Sequence, residues 1–150
     1  MRSIILNKYL VLISRFIVGI VFIIASIDKI AVPELFAINI EGYDLLPISL
    51  INITAIIVPW IELLCGIFLI SSFYLRSSSF IVSIFLVSFI LMITSAILRG
   101  LHIDCGCFGI DSSEVSWYRV IEDIILLLMS IHIYYYSTKI EDLHPLKSGT

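Results

Sequence analysis

Four long apolar runs constrain this chain more than any other feature of its sequence. They cover about residues 9–30, 48–71, 80–98 and 120–136. A helix needs roughly 20 mainly apolar residues to cross the hydrocarbon core of a bilayer. In a bilayer each segment also has to pair its own backbone polar groups, which a helix does. The sequence therefore predicts an all-α fold, an integral membrane four-helix bundle with four transmembrane helices.

The composition agrees with a membrane protein and excludes an ordinary soluble domain. Of the 150 residues, 60% are hydrophobic and 14% are charged, whereas a typical globular domain carries about 25% charged residues. The net charge is −3 without a basic stripe, so nucleic acid is not an expected partner. We expect a single domain over residues 1–150, surrounded by lipid, with a frayed polar tail at 138–150.

The basic residues predict how the spans are oriented. With the N-terminus in the cytoplasm, five basic residues outside the spans lie on the inner side and three lie at outer helix ends. The inner set is Arg2, Lys8, Arg76, Lys139 and Lys147, and the outer set is Lys29, Arg99 and Arg119. Because basic loops stay in the cytoplasm, an N-in, C-in arrangement is predicted. The first run is read as an uncleaved span, because no small-residue cleavage site follows it.

The segment between the first two spans predicts a short interfacial helix. Pro33 suits the first turn of a helix, and Glu34 lies near its positive end. Phe36, Ile40 and residues 43–46 would form an apolar face lying on the membrane surface.

Two ionisable residues fall inside the predicted spans, Arg15 in the first and Glu62 in the second. Such groups are costly in lipid unless they are paired or face a cavity. At a rise of ~1.5 Å per residue their depths differ by less than the length of an arginine side chain. The sequence therefore predicts an Arg15–Glu62 contact. It would be a structural clasp, a proton relay or the acid of a quinone site.

A second set of charges is expected at the outer surface. Lys29 and Arg99 end the first and third spans, and Glu122 and Asp123 begin the fourth. They would form an interfacial network that fixes the helix ends. Alternatively, Lys29 or Arg99 would stabilise a thiolate in the neighbouring loop.

The candidate catalytic residues are Cys105 and Cys107, in the polar gap before the fourth span. Gly106 between them permits the sharp turn that a disulfide at this spacing requires. Such a bond is strained and readily reduced, which suits exchange with a partner. His102 would help to stabilise a thiolate. Cys65 lies within the second span and is expected to be a small apolar core residue.

Two other interpretations of the thiol pair remain open. His102, Cys105 and Cys107 are a possible ligand set for copper(I) or zinc. A permanent Cys105–Cys107 disulfide would instead be a structural clip. The chain would then be a non-enzymatic membrane subunit of a larger redox or secretion complex.

Several features together resemble the MauE/DoxX group of redox-associated membrane proteins. The resemblance covers nearly the whole chain, and the Cys105-Gly106-Cys107-Phe108-Gly109 segment before the last span is its most specific part. The other matching positions are Ile27 to Ile30, Pro33, Phe36, Leu45 to Pro47, Pro59 to Glu62, Gly66, Arg99 and Gly100.

The resemblance implies a bacterial inner-membrane, multi-pass protein with an extracytoplasmic Cys-Gly-Cys loop. It implies thiol–disulfide exchange with a thioredoxin-like or disulfide-containing protein, of the kind linked to maturation of methylamine dehydrogenase. It also makes quinone a candidate cofactor. Quinone-linked four-helix membrane oxidoreductases use a Cys-x-x-Cys pair, whereas this chain has one Cys-x-Cys pair. A relay to quinone would therefore need a partner's thiols.

Overall fold

The computed structural model describes residues 8–44, 47–100 and 117–143. These residues form five helices: α1 (Lys8–Ala31), α2 (Pro33–Gly42), α3 (Ile48–Ser71), α4 (Leu75–Leu98) and α5 (Trp117–Leu143). Four segments are long and apolar enough to cross a membrane, namely α1, α3, α4 and residues 117–139 of α5. The described ranges contain no strand. The predicted all-α fold with four candidate spans and a short helix after the first is confirmed.

Helices α1 and α3 pack side by side in opposite directions, with glycines where they come closest. A Cβ atom added to Gly66 would lie 2.9 Å from the carbonyl oxygen of Gly19, and one added to Gly19 would lie 3.1 Å from that of Gly66. Small residues at such a crossing let two backbones approach closely in a membrane. This contact sets the register of α1 against α3.

The turn before α4 is shorter than the sequence predicted. Ser72 and Tyr74 both have left-handed backbone conformations, with φ of 69° and 49°, and α4 begins at Leu75 rather than near Phe80. The serines in its first turns do not break the helix, because their hydroxyls bond to carbonyls within it. Ser79 Oγ donates to the Leu75 carbonyl at 2.6 Å, and Ser83 Oγ donates to the Ser79 carbonyl at 2.8 Å.

Helices α4 and α5 form the second pair of the bundle and are joined by hydroxyl groups. Ser130 Oγ donates to the Ser79 carbonyl at 2.9 Å and lies 3.0 Å from Ser83 Oγ. Around this link lies a core to which all four long helices contribute. Its members are Val11, Val18, Phe22, Cys65, Leu69, Val82, Leu86 and Ile133.

The short helix α2 packs against α3. Pro33 stands in its first turn, as predicted. Phe36 and Ile40 are buried against Ile51 and Ala55 of α3. Phe36 and Ile40 therefore face α3 rather than the membrane surface predicted for them, because the chain reversal after α2 folds them onto the neighbouring helix. Leu45 and Leu46 of the predicted face lie outside the described residues.

The last helix is longer than predicted. It continues through residues 138–143, where the sequence indicated a frayed tail. Ser137 and Thr138 donate their hydroxyls to the carbonyls of Tyr134 and Tyr135, at 2.8 and 2.9 Å, and so remain compatible with the helix. The rest of the predicted tail, 144–150, lies outside the described residues.

The outward faces of the long helices are apolar. Large aliphatic side chains stand exposed along every one of them, for example Ile13, Ile24, Leu64, Leu91 and Leu128. Soluble monomers rarely expose so many large apolar side chains. These faces are therefore the lipid-contacting surface of a multi-pass membrane protein.

Candidate functional site: a buried charge centre

An ion pair between α1 and α3 lies inside the bundle. Lys29 Nζ donates to both carboxylate oxygens of Glu62, at 2.9 and 2.8 Å. The two side chains are only 4% and 1% exposed. A buried charge is tolerated when it is paired and hydrogen-bonded, and here each charge neutralises the other.

The direction of the side chains explains how residues on different levels of the bundle meet. In a helix each Cα–Cβ bond tilts towards the helix N-terminus. Lys29 therefore leans towards the N-terminus of α1, and Glu62 leans towards the N-terminus of α3. Because the two helices are antiparallel, these directions are opposite and bring the two side chains together. Their long side chains therefore converge across the difference in level.

Two aromatic rings flank the ammonium group of Lys29. Its Nζ lies 5.0 Å from the centre of the Phe36 ring and 4.8 Å from the centre of the Phe89 ring. A cation within about 6 Å of a ring face is attracted by the ring's quadrupole. Helices α2 and α4 thus also contribute to holding the lysine.

A third ionisable side chain, Asp123 of α5, completes the centre. Asp123 lies with Lys29 and Glu62 in the wall of a small cavity of about 20 Å³. Its side chain is 6% exposed, and its Oδ2 atom has no hydrogen-bond partner among the described residues. Apolar side chains form the rest of the wall: Val21, Phe22, Ala25, Leu86, Phe89 and Leu126.

The predicted Arg15–Glu62 contact is wrong. Arg15 instead donates to the carbonyl oxygens of Leu69 and Ile70, at 2.8 and 3.0 Å, and to Ser72 Oγ. Because its Cβ tilts towards the N-terminus of α1, its side chain points away from Glu62 and towards the last turn of α3. There it satisfies carbonyls that have no partner within the helix.

The four charged residues predicted to form one surface network do not lie together in the structure. Lys29 and Asp123 are buried in the centre rather than at the surface. Arg99 donates to the carbonyl of Tyr43 at 2.9 Å and lies 3.7 Å from the Asp44 carboxylate. Glu122 accepts from Arg119 on its own helix at 2.9 Å.

The proposed redox residues cannot be placed by the structure. Cys105, Gly106, Cys107 and His102 lie outside the described residues. Cys65 is buried in the core between the helices, as expected. Within 8–44, 47–100 and 117–143 no group of three or more histidine, cysteine or acidic side chains is arranged to hold a metal.

Asp123 and Phe89 were the members of the centre that sequence reasoning missed. Asp123 was read as a surface acid near the start of a span. Its helical spacing carries the missing signal, because Val120, Asp123, Ser130 and Ile133 share one face and all four are buried. Phe89 carries no comparable signal, since it is one phenylalanine in a long apolar run.

The fold and the centre together define a class: a four-span helical membrane protein with an ionised pair and an additional carboxyl group in its core. Comparison with known proteins places the chain more narrowly. A family model described as methylamine utilisation protein MauE matches residues 7–136. The chain belongs to the MauE family, which confirms that part of the resemblance, while the DoxX part stays a prediction.

A curated relative supports the same assignment. It is the methylamine utilization protein MauE of Methylophilus methylotrophus, which is 28% identical over 137 residues. The match covers 89% of this chain and 72% of the relative. No solved structure matches the chain.

Proposed function

We propose that this MauE family protein is a membrane thiol–disulfide redox protein that acts through Cys105 and Cys107. The observation that carries the proposal is the Cys-Gly-Cys pair in the connection between the last two spans of a MauE family bundle. The helices on either side of that connection, α4 and α5, pack against each other through the Ile93 and Val120 cluster. This provides a rigid base for a reactive loop.

At the end of the bundle that carries this connection, α4, the segment after α2, and α3 are linked by direct contacts. Arg99, directly after α4, bonds to the carbonyl of Tyr43, which follows α2. Helix α2 in turn packs on α3 through Phe36 and Ile40. A loop that exchanges disulfides with a protein benefits from such a fixed platform, because less conformational freedom is lost on docking.

The exchange itself balances as two thiol–disulfide substitutions. The thiolate of one cysteine attacks a partner's disulfide, forms a mixed disulfide and releases a partner thiolate. The second cysteine then attacks the mixed disulfide, closes the Cys105–Cys107 bond and releases the partner's second thiolate. Two electrons pass to the partner, and the reverse sequence oxidises it.

The location of the pair is part of the proposal. The distribution of basic residues favours N-in, C-in spans, which puts the pair on the extracytoplasmic side of a bacterial inner membrane. Disulfides persist on that side. The name of the relative points to methylamine utilisation. The partner we propose in that process is a thioredoxin-like or disulfide-containing protein. Quinone is the candidate electron carrier.

Trapping of the mixed disulfide tests the proposal. In a Cys65→Ala background, the single variants Cys105→Ala and Cys107→Ala are expressed in cells and the free thiols are quenched with acid. At least one variant is expected to carry a partner protein that a reductant releases. The Cys65→Ala protein and its Cys105→Ala/Cys107→Ala derivative are the controls.

Three results would contradict the proposal. The first is the absence of a partner adduct together with normal partner oxidation in the double variant. If only assembly of a larger complex then suffers, the pair is a structural clip. The second is copper or zinc that co-purifies with intact His102, Cys105 and Cys107 and is required for activity. The third is modification of the pair by an impermeant thiol reagent from the cytoplasmic side alone.

A further inference from the structure

We propose that Asp123 is a proton-binding site in the core of the bundle, sharing one water molecule with the Lys29–Glu62 pair. The site is the cavity that Asp123 of α5 lines together with Lys29 and Glu62. This inference does not depend on the proposed thiol chemistry.

The first argument is the balance of charge. Lys29 supplies one positive charge, and both oxygens of Glu62 already bind it at 2.8 and 2.9 Å. Asp123 adds a second carboxyl group, and this residue is only 6% exposed. An unneutralised carboxylate in a low-dielectric core is costly. Uptake of one proton from bulk water removes that charge without displacing the ion pair.

The second argument is geometric. Asp123 Oδ2 lines the cavity and has no hydrogen-bond partner among the described residues. The cavity holds about 20 Å³, and a site of more than roughly 10–15 Å³ with two to four polar partners accommodates one water. A protonated Oδ2–H would donate to that water. The water would then donate to the Glu62 carboxylate and complete the hydrogen bonding.

The opposite charges of Arg119 and Glu122 both act on Asp123 and oppose each other there. On its own helix, Arg119 is bound to Glu122 at 2.9 Å. Tyr43, in the segment after α2, is buried near Asp123. Burial, together with the nearby Asp123, raises the pKa of the Tyr43 phenol to about 12. Helix α4 lines the cavity with the apolar Leu86 and Phe89.

A groove on the outer surface of the bundle lies next to the buried cavity. It has a volume of about 460 Å³, lies between α1 and α5, and is bordered by Arg119 and Glu122. Val21 and Leu126 line both the groove and the buried cavity. The groove and the cavity therefore adjoin at these two side chains, and in the proposed site a proton would reach Asp123 past them.

Infrared spectroscopy of the full-length protein in lipid nanodiscs tests this inference. At pH 6 the wild type is expected to show the C=O stretching band of a protonated carboxylic acid. The band should shift when all aspartates carry a ¹³C-labelled side-chain carboxyl. It should also shift in D₂O, as expected for an exchangeable proton. Asp123→Asn should abolish it, whereas the neighbouring Glu122→Gln should leave it unchanged.

Several results would overturn the inference. These are the absence of a protonated aspartate band from the wild type at pH 6, its persistence in Asp123→Asn, and a band that shifts with labelled glutamate instead. The labelling experiment uses the wild-type chain alone. It therefore tests for a protonated aspartate, and its absence overturns the inference, even if Asp123→Asn does not fold.

Discussion

Lys29 and Glu62 form their ion pair because antiparallel helices direct the two side chains towards each other. The ammonium nitrogen lies 2.8 and 2.9 Å from the carboxylate oxygens, in a part of the bundle where both side chains are buried. The pair joins the first span to the second. Phe36, Phe89 and Asp123 bring the other helices to the same point.

Breaking this ion pair from either side should destabilise the protein strongly. Lys29→Met leaves a buried carboxylate unpaired, and Glu62→Gln leaves a buried ammonium unpaired. Each is expected to lower the free energy of unfolding by about 3–5 kcal/mol. The Lys29→Met/Glu62→Gln double variant should lose less than the sum, since no unpaired member of the pair remains. Unfolding in mixed micelles with increasing sodium dodecyl sulfate, followed by circular dichroism, measures these differences.

The exposed Arg99–Asp44 pair provides the matched control. Its charged groups are 3.7 Å apart and the Asp44 side chain is 87% exposed, so Asp44→Asn should cost less than about 1 kcal/mol. Equal, small losses for Asp44→Asn and Lys29→Met would show that the buried pair does not stabilise the bundle.

Arg15 should act independently of the charge centre. Arg15→Met removes the donors to the Leu69 and Ile70 carbonyls, with an expected loss of about 1–3 kcal/mol. Combined with Glu62→Gln, the two losses should add within about 0.5 kcal/mol, because the sites share no partner. The same micelle titration measures the coupling. A large coupling energy would restore the direct Arg15–Glu62 contact that the sequence predicted.

Gly66 should be intolerant of even one added methyl group. In Gly66→Ala the new Cβ would meet the Gly19 carbonyl oxygen at 2.9 Å and Ile23 Cγ1 at 2.8 Å. Helices α1 and α3 would have to separate, at a cost of about 1–3 kcal/mol. The neighbouring Ile67→Ala, on the lipid-facing side, is the control. If both variants unfold at the same detergent fraction as the wild type, the close helix approach is not required.

Tyr43 should make the protein sensitive to alkali. Burial, together with the nearby Asp123, raises the pKa of its phenol from 10.0 to about 12. Below pH 10 the phenol is protonated in both states. Between about pH 10 and 12 the unfolded chain releases the proton and the folded chain keeps it, so stability falls as pH rises, by of the order of 2 kcal/mol.

The melting temperature measured across this pH range tests the effect of Tyr43. Tyr43→Phe should flatten the alkaline fall, and the exposed Tyr118→Phe should leave it as in the wild type. An unchanged fall in Tyr43→Phe would assign the alkaline sensitivity to other groups.

Local features of the sequence predicted most of the helices correctly. The long apolar runs located four candidate spans, and Pro33 located the start of the short helix α2. The beginning of α4 was missed because the serines at 77–79 precede the apolar run that starts at residue 80. Here, hydroxyls such as that of Ser79 bond to carbonyls in their own helix and permit an earlier start.

The sequence alone determined the class of the fold, because hydrophobic length is a property of each segment by itself. It also showed that Arg15 and Glu62 needed partners in an apolar environment, whereas the burial of Lys29 and Asp123 became evident only in the structure. The tertiary structure decided which partners they have. The choice depends on the register of α1 against α3, set by Gly19 and Gly66, and on the opposite side-chain tilt of antiparallel helices. Neither is a property of one segment. A prediction from depth along each helix therefore paired Glu62 with Arg15, whereas in the folded bundle Glu62 pairs with Lys29.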